Sequence, residues 1–293
     1  MSIVVTGAGG YVGGRLVQHL GGLALPTLRT PVPWLPDAVV ADLLVDDLVP
    51  LFAGHQAVVH LAGLNETHFR GDADRAYDHT VAATERVASA ARAAGVPRLV
   101  YLSTFHVYGS AAKGLVQEDV PATPVDGYGA SRLEGERLAA EHGPHHTVSL
   151  RLTNGVGPLS HPDVERKTLG AYVFCRMAAT GGDIEMRDSG HGLRDFVDLA
   201  EACRVIGAAA AGALPRDTYN LGSGVTTSIR RLADEVADAA EEVLGRRPAV
   251  VPGPPDGDAP DDFRVSVEKL AEHVDRPNPD LRPALVETIR LLA

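Results

Sequence analysis

Cysteine is nearly absent from the 293 residues: Cys175 and Cys203 are the only two. That is too few for a disulfide framework, so a reducing cytoplasm is the expected setting. Basic charge is also short. Lysine and arginine number 27 against 38 aspartates and glutamates, a formal net charge of minus 11. This balance argues against nucleic acid or an anionic membrane as partner, because both require a basic face. No apolar run approaches the ~20 residues that span a bilayer, and no leader is expected ahead of the first strand. Repeats and coiled-coil heptads are missing. The histidines, including His145 and His146, are not spaced with cysteine or carboxylate as metal ligands, so no metal is expected. What remains is 45% hydrophobic and 22% charged, enough to bury a full α/β core plus a smaller lobe.

Glycine is the residue in good supply, and its placement is informative. Ile3-Val4-Val5 is a short apolar run suited to a buried parallel strand, and it leads directly into Thr6-Gly7-Ala8-Gly9-Gly10-Tyr11-Val12-Gly13-Gly14. A helical stretch from Arg15 to Leu20 follows. Strand, glycine turn and helix in this order point to dinucleotide binding. Gly7 takes the tight turn, Gly10 lets backbone approach a pyrophosphate, and Gly13 lets helix pack closely on strand. The helix start then presents free amides to the phosphates.

Strand-like and helical runs alternate through the first half, the signature of a parallel sheet covered on both faces. The residues 57–61, 99–103 and 147–152 read as strands. The alanine-rich stretch 74–94 reads as a long helix ended by Gly95 and Pro97. Residues 228–244 read as an amphipathic helix. The stretch 248–262, crowded with proline, glycine and aspartate, reads as a solvated loop in preference to a substrate-covering flap.

Tyr128 and Arg132 lie four residues apart on a predicted helix and so share one face. A fixed cation beside a phenol favours its ionised form, which suits acid/base work. Together with the glycine turn, this pair resembles the extended short-chain dehydrogenase/reductase family of nucleotide-sugar epimerases, dehydratases and ketoreductases, with Arg132 where the usual member has lysine. Further pieces fall in family order: Asp42-Leu43, His60-Leu61-Ala62-Gly63, residues 102–109, 150–158, Arg194-Asp195-Phe196-Val197-Asp198 and 219–224. The resemblance covers nearly the whole chain.

The resemblance implies a Rossmann-type, doubly wound parallel sheet over residues 1–153, with a return segment near 190–222. Residues 154–189 and 223–293 would form a smaller C-terminal substrate-binding lobe. Cofactor contacts would come from Gly7, Gly10, Tyr11, Val12, Gly13, Asp42, Leu43, Leu61, Ala62, Gly63, Tyr128 and Arg132. The predicted second strand, residues 24–30, has no carboxylate at its end and carries Arg29 there instead. Arg29 would meet a 2′-phosphate with charge-assisted bonds, so NADP(H) is expected in preference to NAD(H).

Thr104 falls at the family's catalytic Ser/Thr position, with Ser103 as the alternative. Arg132 keeps the charge of a lysine but cannot pass a proton, and Thr80 stands where members often carry asparagine. Phe105 and His106 replace the acidic pair of the 4,6-dehydratases, which argues against that activity. His106 reads either as an acid/base or as a packed edge histidine. Asn154, Arg194 and Arg264 are expected to meet a nucleotide-sugar diphosphate, although Arg194-Asp195-Phe196 stands two residues closer to Asp198 than is common. The implied activity is reduction of a nucleotide 4-keto-deoxysugar, with a 4-epimerase and a non-catalytic dinucleotide sensor as alternatives. A homodimer through the long helix and the Tyr128 helix is implied as well.

Overall fold

The apolar runs of the first half form one parallel sheet. The computed structural model describes residues 2–109, 113–255 and 262–293. In chain order the elements are β1 (Ile3–Thr6), α1 (Tyr11–Leu20), β2 (Ala24–Leu28), β3 (Val39–Val40), α2 (Val49–Phe52), β4 (Ala57–His60), α3 (Glu66–Phe69), α4 (Ala73–Ala93), β5 (Arg98–Thr104), β6 (Gly114–Val116), α5 (Gly127–His142), β7 (His146–Leu152), β8 (Asn154–Val156), α6 (Gly170–Ala179), β9 (Ile184–Glu185), β10 (Leu193–Asp198), α7 (Leu199–Ala211), β11 (Thr218–Leu221), β12 (Thr226–Ser228), α8 (Ile229–Leu244), β13 (Val250–Val251), β14 (Phe263–Val265), α9 (Glu268–Ala271) and α10 (Arg282–Leu292). Seven strands pair in the order β11-β7-β5-β4-β1-β2-β3. The chain runs outward from β1 in one direction through β2 and β3, then returns to β4 and continues the other way. The switch point therefore lies between β1 and β4, where such sheets open a crevice at their carboxyl ends.

Strand pleating sorts the core. Ile3, Val5, Val59, Val100 and Leu102 join the cluster that includes Leu16 of α1 and Ile206 of α7. Their neighbours Val4, Val58, Leu99 and Tyr101 face the other way, toward Phe52, Val87 and Ala139 of α2, α4 and α5. Both faces of each strand are thus buried, which is why these strands read as continuous apolar runs rather than alternating ones.

A second core is built largely by α6, α8 and α10, around Phe174, Ile184, Val236, Leu285 and Ile289. Two parts of the chain differ from the sequence expectation. Residues 248–262 are not all loop, because β13 pairs in parallel with β9 through Val250 and Ile184; residues 256–261 lie outside the described residues. Within 190–222 the chain divides: α7 and β11 belong to the large sheet's layer, whereas β10 pairs with β8 and β12 in a separate three-stranded sheet. No helix among the described residues is long and apolar enough to cross a membrane.

Candidate active site

At the end of β1 the chain turns at Gly7 with φ +74°, a conformation that side chains rarely adopt. A Cβ at Gly7 would lie 2.6 Å from the Ala62 nitrogen, and one at Gly13 would lie 2.1 Å from the Gly7 carbonyl oxygen. Neither position accepts a side chain without backbone movement. Gly10 precedes α1 with no side-chain cap and no acidic residue in the first turn, leaving the helix's amino end open to an anion. Over this turn lies a cavity of about 800 Å³. It is lined by Gly7, Gly10, Tyr11, Val12, Gly13, Arg29, Asp42, Leu43, Leu61, Ala62, Gly63, Thr104, His106, Tyr128, Arg132 and Asn154.

Phe105, the third residue expected beside Thr104 and His106 to meet substrate, is not among the residues lining this cavity, and neither are Arg194 and Arg264. The Phe105 ring packs 4.9 Å from Tyr108 and edge-on to Phe263 at 5.3 Å, in a satellite apolar cluster. In β10, strand alternation separates Arg194 from Asp195. Arg194 is exposed and donates to its neighbour's Leu193 carbonyl at 2.7 Å. Asp195 is turned inward and accepts from Thr153 Oγ1, the Ser223 amide and the Gly224 amide at 2.8 to 2.9 Å. Burial pushes the Asp195 carboxyl up, against the pull of those bonds. Arg264 is also exposed and pairs with Asp262 at 3.2 Å.

Two residues that do line the cavity are already engaged. Asn154 donates its amide to the Asp195 carbonyl at 2.9 Å. Tyr11 donates its hydroxyl to the Gly157 carbonyl at 2.9 Å, and burial raises that phenol well above its ordinary range. Tyr11 thereby ties α1 to the loop after β8.

Tyr128, Arg132 and His106 come together on the cavity wall. Asp126 caps α5 by accepting from the Gly129 amide at 2.7 Å, which places Tyr128 in the first turn. The Arg132 guanidinium carbon sits 5.5 Å from the Tyr128 ring centre. His106 stands edge-on to the same ring at 5.4 Å. Thr104, at the end of β5, accepts from the His106 amide at 3.3 Å, so its own proton is free to be donated. Ser103 is different: its hydroxyl donates to Glu136 at 2.5 Å, and Glu136 is held by Arg151 at 2.8 Å. Of the two neighbouring hydroxyls, only that of Thr104 is available.

Arg132 is buried with its Nε unpartnered, and among the described residues it makes no ion pair with a carboxylate. Its guanidinium lies flat against Gly63, where a Cβ would come within 2.7 Å of Nη2. Burial opposes its charge, but the facing phenols of Tyr128 and Tyr101 outweigh that and hold it above the ordinary arginine value. Beneath it lies a histidine that sequence reasoning did not single out. His60 Nδ1 is 2.7 Å from Thr6 Oγ1, and Nε2 is 3.3 Å from Thr84 Oγ1. Because Thr84 donates to the Thr80 carbonyl, it accepts from His60, which fixes the proton on Nε2. Burial, then the Arg132 charge, push His60 down to about 3. His60 closes β4, so the available signal was a polar residue ending an apolar strand.

Fold and site together define an extended short-chain dehydrogenase/reductase, an enzyme class that works on sugar nucleotides. The chain matches the model of the NAD dependent epimerase/dehydratase family over residues 3–222, and it belongs to that family. It is 30% identical over 267 residues to a dTDP-glucose 4,6-dehydratase of Streptomyces niveus, covering 80% of this chain and 76% of the relative. It is likewise 30% identical over 264 residues to a UDP-glucose 4-epimerase of Mycolicibacterium smegmatis, covering 82% of each. Among solved structures, MoeE5 in complex with UDP-glucose and NAD is similar at a TM-score of 0.79, with 27% identity over 99% of this chain and 98% of that one.

Proposed function

We propose that the chain is an NADP(H)-preferring oxidoreductase that reduces the ketone of a nucleotide 4-keto-deoxysugar. The single observation that carries this reading is Arg29: the residue after β2 is a cation lining the cavity, where NAD-preferring sites hold a carboxylate for the ribose hydroxyls. NADPH is the common reducing pool, so a grip on the 2′-phosphate favours net reduction. The cradle fits a dinucleotide, because its floor is the glycine turn that a Cβ at Gly7 or Gly13 would fill.

Residues of the glycine turn would hold the pyrophosphate, Asp42 and Leu43 the adenine, and Leu61 to Gly63 with Arg132 the nicotinamide end. Once bound, the nicotinamide supplies a carbon that exchanges hydride with the sugar. The chain's own residues handle the proton. Tyr128 donates to the carbonyl oxygen while Thr104 offers it a second hydrogen bond, and Arg132 stabilises the phenolate left behind. Arg132 stays charged throughout, so Tyr128 must be reprotonated by another route. His106 and Asn154 flank the substrate, and the second core forms the lobe that receives the sugar nucleotide.

A 4-epimerase, the activity named for the Mycolicibacterium smegmatis relative, would use the same residues. The dehydratase named for the Streptomyces niveus relative is less well served. Thr104 is followed by Phe105, which packs away from the cavity, and by His106 rather than an acidic pair. The decisive assay mixes the protein with NADPH and a panel of nucleotide 4-keto-6-deoxyhexoses. Loss of the NADPH absorbance with one reduced product supports the reductase. Interconversion of two sugar nucleotides without net cofactor loss replaces it with the epimerase, and cofactor binding without turnover replaces it with the sensor.

A further inference from the structure

Arg29 is unusual for a cation in an acidic chain. With 38 carboxylate residues against 27 basic ones, an exposed arginine should find an ion pair readily, yet Arg29 makes none among the described residues. Its side-chain contact is instead with His79 on α4, Nη1 to Nε2 at 3.4 Å. A guanidinium only donates, so this contact requires His79 Nε2 to be bare and its proton to sit on Nδ1. That Nδ1 is buried and has no acceptor among the described residues. Both side chains, with Thr30 and Asp42, line the cavity. The carboxylate near them, Asp42, accepts from the Leu44 amide at 2.9 Å and makes no ion pair with Arg29, so the guanidinium is free to take another anion.

We propose that His79 joins Arg29 in binding the 2′-phosphate of NADP(H), taking up a proton from solvent as it does so, and thereby sharpens selection against NAD(H) as pH falls. This rests on the NADP(H) reading given above and adds a second residue and a proton to it. The charged groups facing His79 come from four places: Arg29 after β2, Asp42 after β3, Arg75 one turn back on α4, and His68 on α3. Burial first, then Arg29, with Arg75 and His68 adding to them against the opposing Asp42, hold the free imidazole below its ordinary value. It is therefore neutral at pH 7 until an anion arrives. A phosphate oxygen set between Arg29 Nη1 and His79 Nε2 reverses the local sign. Nε2 gains a proton, the imidazolium donates it to the oxygen, and one dianion meets two cations.

Binding of 2′,5′-ADP and of 5′-ADP to the purified protein, measured by calorimetry at pH 7.5 in buffers of different ionisation enthalpy, tests this. We expect 2′,5′-ADP to bind tighter than 5′-ADP with net proton uptake, and 5′-ADP to bind without it. The phosphate's own second pKa lies near ~6, so residual protons on it would be released, the opposite sign. His79→Gln should remove the uptake and weaken 2′,5′-ADP by about tenfold, the equivalent of one pKa unit, with 5′-ADP unchanged. His79→Lys should keep tight binding with no uptake. If 2′,5′-ADP binds no better than 5′-ADP, the NADP(H) reading itself fails. If it binds better and Arg29→Ala abolishes the difference while His79→Gln leaves affinity and uptake intact, only the role of His79 is overturned. Equal weakening of both ligands by His79→Gln also overturns it, since that marks a merely structural residue.

Discussion

A phenol with a buried guanidinium 5.5 Å from its ring centre makes a sharp residue-level prediction. Tyr128→Phe should lower kcat by ~10²- to 10⁴-fold while the cofactor's Kd, measured by fluorescence titration, stays within a few-fold; unchanged kcat would remove Tyr128 as the proton donor. Gly63 is tied to the same centre by space rather than chemistry. Its φ of +156° and the 2.7 Å approach to Arg132 Nη2 both oppose a side chain, and a double-mutant cycle separates them. Gly63→Ala should impair cofactor binding in the native background and much less in Arg132→Lys, a coupling of ~0.5–3 kcal/mol. Equal losses in both backgrounds would assign the cost to backbone strain alone. Neither Gly63's contact nor the neutral state of His60 was readable in the chain. Each depends on which side chains from α4, α5 and β4 meet, and no local spacing encodes that. The glycine turn, by contrast, was fully legible, since its chemistry is written in seven consecutive residues.

Elements are held together beneath the site by a run of buried polar bonds. Ser103 of β5 donates to Glu136 of α5, Glu136 pairs with Arg151 of β7, and Arg151 donates to the Tyr108 hydroxyl at 2.8 Å. Tyr108 in turn donates to Asn220 of β11 at 2.8 Å. Removing one partner strands the other charge in a dry interior, so Glu136→Gln should cost ~3–5 kcal/mol. Urea unfolding checks this as a lower midpoint at unchanged slope. Long elements such as α4 and β5 were legible because their patterns repeat enough to be recognised. The strand β13 was not, because two residues between prolines carry no period. Arg194 and Asp195 illustrate the same point: the motif names the residue types, and the alternation of β10 decides which of the two faces inward.

At the level of the whole molecule, His60 links stability to acidity. Its folded value of about 3 lies below the ordinary histidine value of 6.5, so the unfolded chain binds the extra proton first. The stability it contributes is complete above pH 6.5 and is lost as pH falls from there toward 3. At pH 5 the loss should be about 2 kcal/mol, seen as a falling Tm that flattens in His60→Gln. The sheet order carries a consequence for synthesis. β7 has β5 on one side and β11 on the other, and β11 is the last of the seven strands to be made. Until residue 221 has emerged from the ribosome, β7 presents an unpaired edge to its surroundings, with the Tyr108 hydroxyl awaiting Asn220. Such an edge is a template for any other extended chain. Nascent chains stalled before Thr218 should therefore clump on the polysome, and recovery of this protein should depend on the speed of elongation through that one late segment.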